Sequence, residues 1–252
     1  MFKGFYNLAS GILTQNRNLN VISNNITNSL TPGFKADTMI SSTFQDELFS
    51  RTGNIDKTNP AGIGITSMIR TATETVTDFS QGAFEETGNL LDFALVSEEG
   101  FFQIQTPNNT IAYTRNGSFT IDNEGYLSLS NAGRVMGLNG PIQTYTEDIT
   151  VSNDGTIYRM VDGSEVDKLN IVDFEDYTQL TKQGEGLFYT NDQPIPVEAK
   201  VMSKTLERSN VDSIEQITSM LESQRVLQSA SQLLRMYDEL MNKAVTEIGR
   251  IS

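Results

Sequence analysis

The chain has 252 residues, enough for one large domain or two modest ones with a buried core. Its 18 basic and 32 acidic residues give a net charge of −14, which disfavours binding to nucleic acid and to anionic membrane surfaces. The absence of His and Cys excludes Ser–His and Cys–His nucleophile pairs, an imidazole general base and the usual zinc-finger arrangements.

No apolar run approaches the length of a transmembrane helix. The first 30 residues also lack the uniform apolar stretch of a secretory signal, because polar residues interrupt every apolar run. Taken alone, these two observations predict a cytoplasmic protein. Export routes that need no cleaved signal leave no such mark in a sequence, so they stay open.

Residues 2–29 show the periodicity of an amphipathic helix that ends near Asn28. Apolar residues alternate steps of three and four, which is a heptad seam with one polar position at Gln15. The other faces are rich in Asn, so the helix would be marginal alone and needs a partner. The seam consists of Phe5, Leu8, Ile12, Gln15, Leu19, Ile22 and Ile26.

The segment Thr31-Pro32-Gly33-Phe34 has Pro and Gly where a type II turn requires them. Beyond the turn the signals weaken. Asp37–Phe49 has some helical character, whereas Arg51–Gly64 is typical of an extended connector.

Residues from Ile65 to about Met202 indicate β structure. Phe101–Gln105 and Ile111–Thr114 predict a hairpin with a five-residue loop. Turn sequences then recur at short intervals, as expected of a compact antiparallel domain. They are Asn116-Gly117, Asp122–Gly125, Asn139-Gly140, Asn153–Gly155 and Asp162-Gly163.

Residues 210–251 return to a helical pattern, opened by a capping box from Asp212 to Glu215. The downstream part holds one heptad frame, and the upstream part follows a frame displaced by one residue. The downstream frame is Leu227, Ala230, Leu234, Tyr237, Met241, Ala244 and Ile248, and the upstream frame is Ile214, Ile217, Leu221 and Gln224.

Two amphipathic helices can pack on the core of their own domain. The terminal positions of these helices, their heptad spacing and the self-contained β region favour a different arrangement. In that arrangement the two ends of the chain pair with each other or with neighbouring molecules.

Three further patterns were considered as sites. Asp122, Glu124 and Gly125 lack the regular acidic ladder of a calcium loop, so a plain hairpin turn is favoured. Gly62-Ile-Gly64 precedes a strand pattern rather than a helix, which argues against a dinucleotide fingerprint. The acidic pairs Glu85-Glu86 and Glu98-Glu99 would point to opposite faces of a strand. We therefore predict no enzyme, no cofactor and no metal site.

Several stretches, in order along almost the whole chain, resemble the bacterial flagellar basal-body rod proteins of the proximal-rod and distal-rod type. They are Ser23–Lys35, Ser80–Leu95, Gly100–Ile104, Tyr113–Phe119, Asp122–Leu127, Gly137–Ile142, Leu169–Leu180, Gly186–Phe188, Leu206–Val211 and Gln224-Arg225. Two departures from the family pattern are mild: Leu30–Lys35 replaces a commoner Asn-containing linker, and Ile26–Asn28 replaces a Leu-Ala-Asn run.

The resemblance implies a structural subunit of the basal-body rod, polymerising into the helical drive shaft that links motor to hook. It implies export through the flagellar type III apparatus without a cleaved signal, so the location becomes the basal body. The partners would be further copies, other rod and hook components and the export apparatus, with no nucleic acid and no membrane insertion. The alternative is a secreted β-domain cap or adhesin that is anchored in an axial assembly by its terminal helices.

The expected fold class is α+β, with the terminal helices forming a coiled-coil-like domain around a mainly antiparallel β middle domain. The expected divisions are 1–35 (first helix), 36–64 (extended connector), 65–205 (β-rich middle domain) and 206–252 (last helix). The assembly interface is predicted to use the helix seams and the two terminal motifs, Ser23–Lys35 and Leu206–Val211. Its residues are Ile12, Leu19, Ile22, Asn24, Asn25, Ile26, Pro32, Gly33, Phe34, Leu206, Ser209, Asn210, Val211, Leu221, Leu227, Leu234 and Met241.

Overall fold

The structure, a computed structural model, describes residues 2–44, 47–51, 61–66, 69–184 and 186–251. Two long helices, α1 (Phe2–Thr27) and α2 (Ser213–Ile251), flank a succession of short strands. Every strand pair with a described register is antiparallel, so the predicted α+β fold class is confirmed. Within the described ranges, neither helix carries a stretch apolar enough to cross a bilayer.

The described strands are numbered β1 to β21. The first six are β1 (Asp37–Phe44), β2 (Glu47–Arg51), β3 (Ala61–Thr66), β4 (Ile69–Thr77), β5 (Phe84–Glu86) and β6 (Phe93–Leu95). The next seven are β7 (Phe101–Gln105), β8 (Ile111–Thr114), β9 (Phe119–Ile121), β10 (Leu127–Leu129), β11 (Gly133–Gly137), β12 (Gly140–Pro141) and β13 (Ile149–Val151). The last eight are β14 (Thr156–Arg159), β15 (Glu165–Lys168), β16 (Ile171–Asp173), β17 (Thr181–Gln183), β18 (Leu187–Tyr189), β19 (Ile195–Pro196), β20 (Val201–Ser203) and β21 (Thr205–Glu207), with a 3₁₀ turn at Tyr177–Gln179.

The chain folds as two compact units, each assembled from separate stretches of sequence. Unit 1 comprises the described parts of Met1–Ile26, Asp37–Val76 and Ser213–Ser252. Unit 2 comprises Thr27–Ala36 and the described parts of Thr77–Asp212. These bounds differ from the predicted domain divisions, because the segment that follows α1 groups with the β-rich unit.

In unit 1, α1 and α2 run antiparallel to each other. Near the end of α1, the side-chain amide of Asn25 donates to Gln216 Oε1 at 3.3 Å. About two turns earlier, the side-chain amide of Asn18 donates to Ser223 Oγ at 3.2 Å. At the start of α1, a Cβ on Gly4 would lie 3.8 Å from the ring of Tyr237. The marginal first helix therefore has the last helix of the same chain as its partner.

Helix α2 presents one continuous frame to α1, and the displaced upstream frame is not part of that face. The downstream residues Leu227, Leu234 and Met241 are half-buried, and their frame continues upstream through Ser223 and Gln216. Leu221, by contrast, is 52% exposed. The reason is that α1 offers Asn18 and Asn25 here, and polar residues of α2 satisfy them better than apolar ones.

Asn25 also fastens the end of α1 to the first strand. Its side-chain amide donates to the Asp37 carbonyl at 2.8 Å and its Oδ1 accepts from the Asp37 amide at 3.0 Å. This pair of bonds imitates a rung of a β-ladder. Asn25 is fully buried, so its polar groups need these partners.

The partial helical character expected of Asp37–Phe49 is wrong, because residues 37–44 form β1, which pairs with β4. The local preference was weak, and Thr38, Ile40 and Thr43 suit a strand once a pairing partner is available. Strands β2 and β3 pair antiparallel within the predicted connector. Residues 52–60 of that connector lie outside the described residues.

Unit 2 is built on a sheet with strand order β17-β18-β8-β7-β11-β10-β9, accompanied by the three-stranded sheet β13-β14-β15. The hairpin of β7 and β8 has the bounds that the sequence predicted. One apolar core includes Phe93, Phe102 and Ile157, and a second, aromatic cluster includes Phe101 and Phe188. Strands β5 and β6 at the start of the unit pair with β21 and β20 at its end.

Candidate functional site where two linker segments meet

Two segments that lead to the helices meet inside unit 2. We call residues 27–36, which follow α1, the amino-terminal linker, and residues 205–212, which precede α2, the carboxy-terminal linker. The Gly33 amide donates to the Glu207 carbonyl at 2.7 Å, and the Asn210 amide donates to the Phe34 carbonyl at 3.4 Å. The two terminal motifs singled out in the sequence are thus hydrogen-bonded to each other.

The predicted turn is present in the amino-terminal linker. The Phe34 amide donates to the Thr31 carbonyl at 3.3 Å, and Gly33 has a φ of +66°, as the third position of a type II turn requires. A Cβ on Gly33 would lie 2.3 Å from the carbonyl carbon of Arg115. Glycine is therefore needed here both for the backbone angle and for the close approach.

The turn inserts Phe34 into unit 2, where its side chain is completely buried. Lys182 on β17 covers the ring, with Nζ 3.6 Å from the ring centroid. The same ammonium donates to the Lys35 carbonyl at 2.6 Å. Lys182 therefore contacts both the buried Phe34 ring and the backbone that follows it.

A buried ion pair joins the linkers next to this anchor. Lys35 Nζ lies 2.6 Å from Glu207 Oε1 and donates also to the Ser80 carbonyl at 2.7 Å. Glu207 Oε1 accepts in addition from the Gly82 amide at 3.1 Å. Both charged side chains are about 1% exposed.

Arg115 supplies a second cation to the same place. Its Nη1 lies 3.6 Å from Glu207 Oε2, an ion-pair distance too long for a hydrogen bond. Its guanidinium donates instead to the carbonyls of Ser97, at 2.7 Å, and Glu98. It also lies over the Phe101 ring, 5.4 Å from the centroid, so Arg115 is held by the central sheet and its loops.

Burial dominates the electrostatics of both cations. It lowers the pKa of the Lys35 ammonium and the pKa of the Arg115 guanidinium, and the nearby Glu207 carboxylate acts in the opposite direction on both. Glu207 makes the largest opposing contribution for both cations, and Asp78 acts with it on Lys35, as Asp173 and Glu98 do on Arg115. Glu207 Oε2 and the Arg115 Nε have no hydrogen-bond partner among the described protein atoms.

Asn210 ties the carboxy-terminal linker to two further segments. Its Oδ1 accepts from the Ala36 amide at 2.7 Å, and its Nδ2 donates to the Asp78 and Ser80 carbonyls at 2.9 and 3.2 Å. A single amide side chain therefore links both linkers to the strand connection that precedes β5.

The structure brings together one group of the predicted interface residues in unit 2. Pro32, Gly33 and Phe34 lie against the segment that contains Leu206, Ser209, Asn210 and Val211, all of which are buried or half-buried. The other predicted residues lie in unit 1. There Ile22 and Asn25 are buried, Ile12, Leu19, Ile26, Leu227, Leu234 and Met241 are half-buried, and Asn24 and Leu221 are exposed.

Sequence reasoning missed Lys35, Arg115 and Glu207 as members of a site. Each lies inside a stretch that resembles the rod family, but charged residues in turn-rich segments are normally exposed to solvent. No short-range signal in the sequence marks them, because their burial follows from the fold: Lys35 comes directly after the buried Phe34, and Glu207 lies on the same face of β21 as the buried Thr205.

The turn at Asp122 is the hairpin turn that the sequence favoured over a calcium loop. The Asp122 carboxylate accepts from the amides of Tyr126 and Glu124 and from Arg134 Nε, at 2.8 to 2.9 Å. The Tyr126 hydrogen bond is the main reason that the pKa of Asp122 is lowered, with Arg134 acting in the same direction. Over the described residues, no group of three or more acidic side chains is placed to hold a metal ion.

Three family models match the chain. The flagella basal body rod protein model matches residues 5–35, the flagellar hook protein FlgE/F/G D1 domain matches residues 95–159, and the flagellar basal body rod FlgEFG protein C-terminal model matches residues 202–247. Each matched stretch contributes one charged residue to the buried cluster: Lys35, Arg115 and Glu207.

Whole-length relatives agree with these matches. The flagellar basal-body rod protein FlgG of Bacillus subtilis is 31% identical over 269 residues, covering 97% of this chain and 98% of the relative. The chain belongs to the flagellar basal-body rod protein family. The rod protein FlgF of Caulobacter vibrioides is 30% identical, with 95% of each chain covered.

Another similar protein is the flagellar hook-basal body complex protein FlhO of Bacillus subtilis, at 29% identity over the full length of both chains. Relatives with three different names thus match at almost equal identity. Members of this family are structural proteins of the flagellar basal body, and the resemblance seen in the sequence is confirmed.

Proposed function

We propose that this rod-family chain polymerises, with copies of itself and with other axial proteins, into the helical shaft that links the flagellar motor to the hook. The observation that carries the proposal is the surface of α2. Apolar side chains on α2 remain exposed outside the frame that faces α1, with Leu233 49% and Leu240 66% exposed. Exposed apolar columns on a long helix are typical of an interaction surface.

The two faces of α2 would have different partners. The frame of Leu227, Leu234 and Met241 faces the partner helix of the same chain, and Leu233 and Leu240 form a heptad-spaced column beside it. One subunit that offers such a column to the next makes a heterologous contact, which generates a helical polymer when it does not close. Leu221 and Ile217, both exposed, would add to this surface near the start of α2.

The finer parts of the proposal rest on the family and on composition. A structural role, without catalysis, fits a sequence that has neither His nor Cys. Export through the flagellar type III apparatus is what the resemblance implies. The net charge of −14 argues against nucleic acid as a partner and against an anionic membrane surface.

A charge in the exposed column is the direct test. Leu240→Asp should leave the free energy of unfolding of the monomer within about 0.5 kcal/mol, because the side chain is exposed. It should nevertheless abolish rod assembly, since the carboxylate would be buried between subunits. Thermal unfolding of the purified chain and electron microscopy of basal bodies measure the two effects.

Gln232→Asp is the matched control, because it adds the same charge to an exposed position of α2 without removing apolar surface. It should assemble normally. Normal rods from Leu240→Asp would contradict the proposed interface. Labelled protein in purified basal bodies separates the polymer from the cap or adhesin alternative, since a rod subunit labels the rod wall and a cap labels the tip.

A further inference from the structure

The Glu207 carboxylate contacts a cation of the amino-terminal linker and a cation of the central part of unit 2. We propose that the buried cluster of Lys35, Arg115 and Glu207 is a two-way latch, through which the amino-terminal linker and the carboxy-terminal linker are docked together or released together. This coupling would be a property of the isolated subunit and would not depend on how subunits assemble.

Release of the carboxy-terminal linker would remove Glu207 from its site. The Lys35 ammonium would then keep the Ser80 carbonyl as its described polar partner, and the two buried cations would face each other without the carboxylate that contacts them both. Leaving one member of a buried ion pair without the other is strongly unfavourable. Lys35 would therefore leave for solvent and take the amino-terminal linker with it.

Release of the amino-terminal linker would have the converse effect. Glu207 would lose the Lys35 ammonium from Oε1 and the Gly33 amide from its carbonyl, while Oε2 already has no described hydrogen-bond partner. Asn210 would lose the Ala36 amide at the same time. Glu207 would keep the Gly82 amide and Arg115 at ion-pair distance, but it would lose its shortest ion pair, and backbone groups of the carboxy-terminal linker would lose their partners in a buried place.

Because of Arg115, the latch depends on the balance of three buried charges and not only on contact between the linkers. The Arg115 side chain is held by hydrogen bonds to the Ser97 and Glu98 carbonyls, and its backbone packs directly against Gly33. The cation of Arg115 therefore comes from the region of the central sheet, and the cation of Lys35 comes from the amino-terminal linker. The carboxylate of the cluster, Glu207, comes from the carboxy-terminal linker. This division is what couples two segments whose latch residues are 172 positions apart.

Hydrogen exchange of the purified full-length protein tests the coupling. Lys35→Met alters the amino-terminal linker, yet we expect the amides of Arg208 and Asn210 to exchange about tenfold faster or more. Glu207→Gln should accelerate the amides of Gly33, Phe34 and Ala36 by a comparable factor, because coupling between two sites is reciprocal. Amides in β7 and β8 should keep their protection in both variants.

Glu86→Gln is the matched control, because Glu86 is an exposed acidic residue on β5, the strand that pairs with β21. It should accelerate neither linker. Faster exchange confined to the mutated linker in each variant would overturn the latch. If a variant does not fold, the wild-type protein still decides: the two linkers must open with one shared free energy and one denaturant dependence, and two distinct values would overturn the proposal.

Discussion

Replacing Gly33 by Val is expected to release the amino-terminal linker and to lower the free energy of unfolding of unit 2 by at least about 3 kcal/mol. The positive φ alone costs a β-branched residue about 1–2 kcal/mol. The larger part comes from overlap, because the new Cβ would lie within 2.5 Å of three backbone atoms of Arg115 and Asn116. Backbone in a sheet connection cannot move aside, so the turn must lift and draw Lys35 away from Glu207.

Two other glycines separate these contributions. Gly88 has a φ of +78° with nothing within 4 Å of its Cβ position, so Gly88→Val reports backbone strain without overlap. Gly82 has no positive φ, but its Cβ would lie 1.9 Å from the Arg208 carbonyl oxygen, so Gly82→Ala reports overlap without strain. We expect Gly88→Val to be the mildest of the three in near-ultraviolet circular dichroism melts of the tyrosine signal.

In cells, Gly33→Val should be produced but should not assemble, and motility should be lost. An effect of Gly33→Val on unfolding no larger than that of Gly88→Val would mean that the turn is not seated on Arg115. Normal rods built from the Gly33→Val chain would contradict the role assigned to the turn.

Ile22→Asp is expected to destabilise the pairing of α1 with α2 by about 3–5 kcal/mol and to prevent assembly. Ile22 is 5% exposed and lies on the face of α1 that carries Asn18 and Asn25, both bonded to α2. A carboxylate there is buried without a partner. Leu234→Asp should act in the same direction but less strongly, because Leu234 is half-buried.

Far-ultraviolet circular dichroism follows the helix pair. Six of the eight tyrosines lie in unit 2, so the tyrosine signal mainly follows that unit, which should unfold as in the wild type. Leu13→Asp is the matched control on the same helix, since Leu13 is 66% exposed. Ile22→Leu conserves volume and should cost less than about 1.5 kcal/mol. Unchanged helix melting in Ile22→Asp together with lost assembly would show that neighbouring subunits, rather than α2, cover this face.

The parts of the fold set by short-range patterns were predictable from sequence. The turn at Gly33, the bounds of β7 and β8, and the start of α2 after Asp212 depend on residues close together in the chain. Strand β1 was not predictable in this way, because β4 supplies its pairing partner from more distant sequence.

The residues of α2 that face α1 near its start could not be read from apolar periodicity for a related reason. Apolar periodicity selected Ile214, Ile217 and Leu221, whereas the face toward α1 uses Gln216 and Ser223 to satisfy two asparagines. The buried cluster was out of reach because no local pattern marks a charge as buried. Lys35, Arg115 and Glu207 are paired by the fold and not by their spacing in sequence.

The pairing of β5 with β21 and of β6 with β20 has a kinetic consequence. The contact of Gly82 with Glu207 spans 125 positions, so closing unit 2 brings together residues of very high sequence separation. High contact order makes folding slow, because loop entropy is lost before such contacts stabilise the chain. A chain that emerges amino terminus first cannot complete this unit until its carboxy-terminal linker has followed. Until then the chain stays incompletely folded.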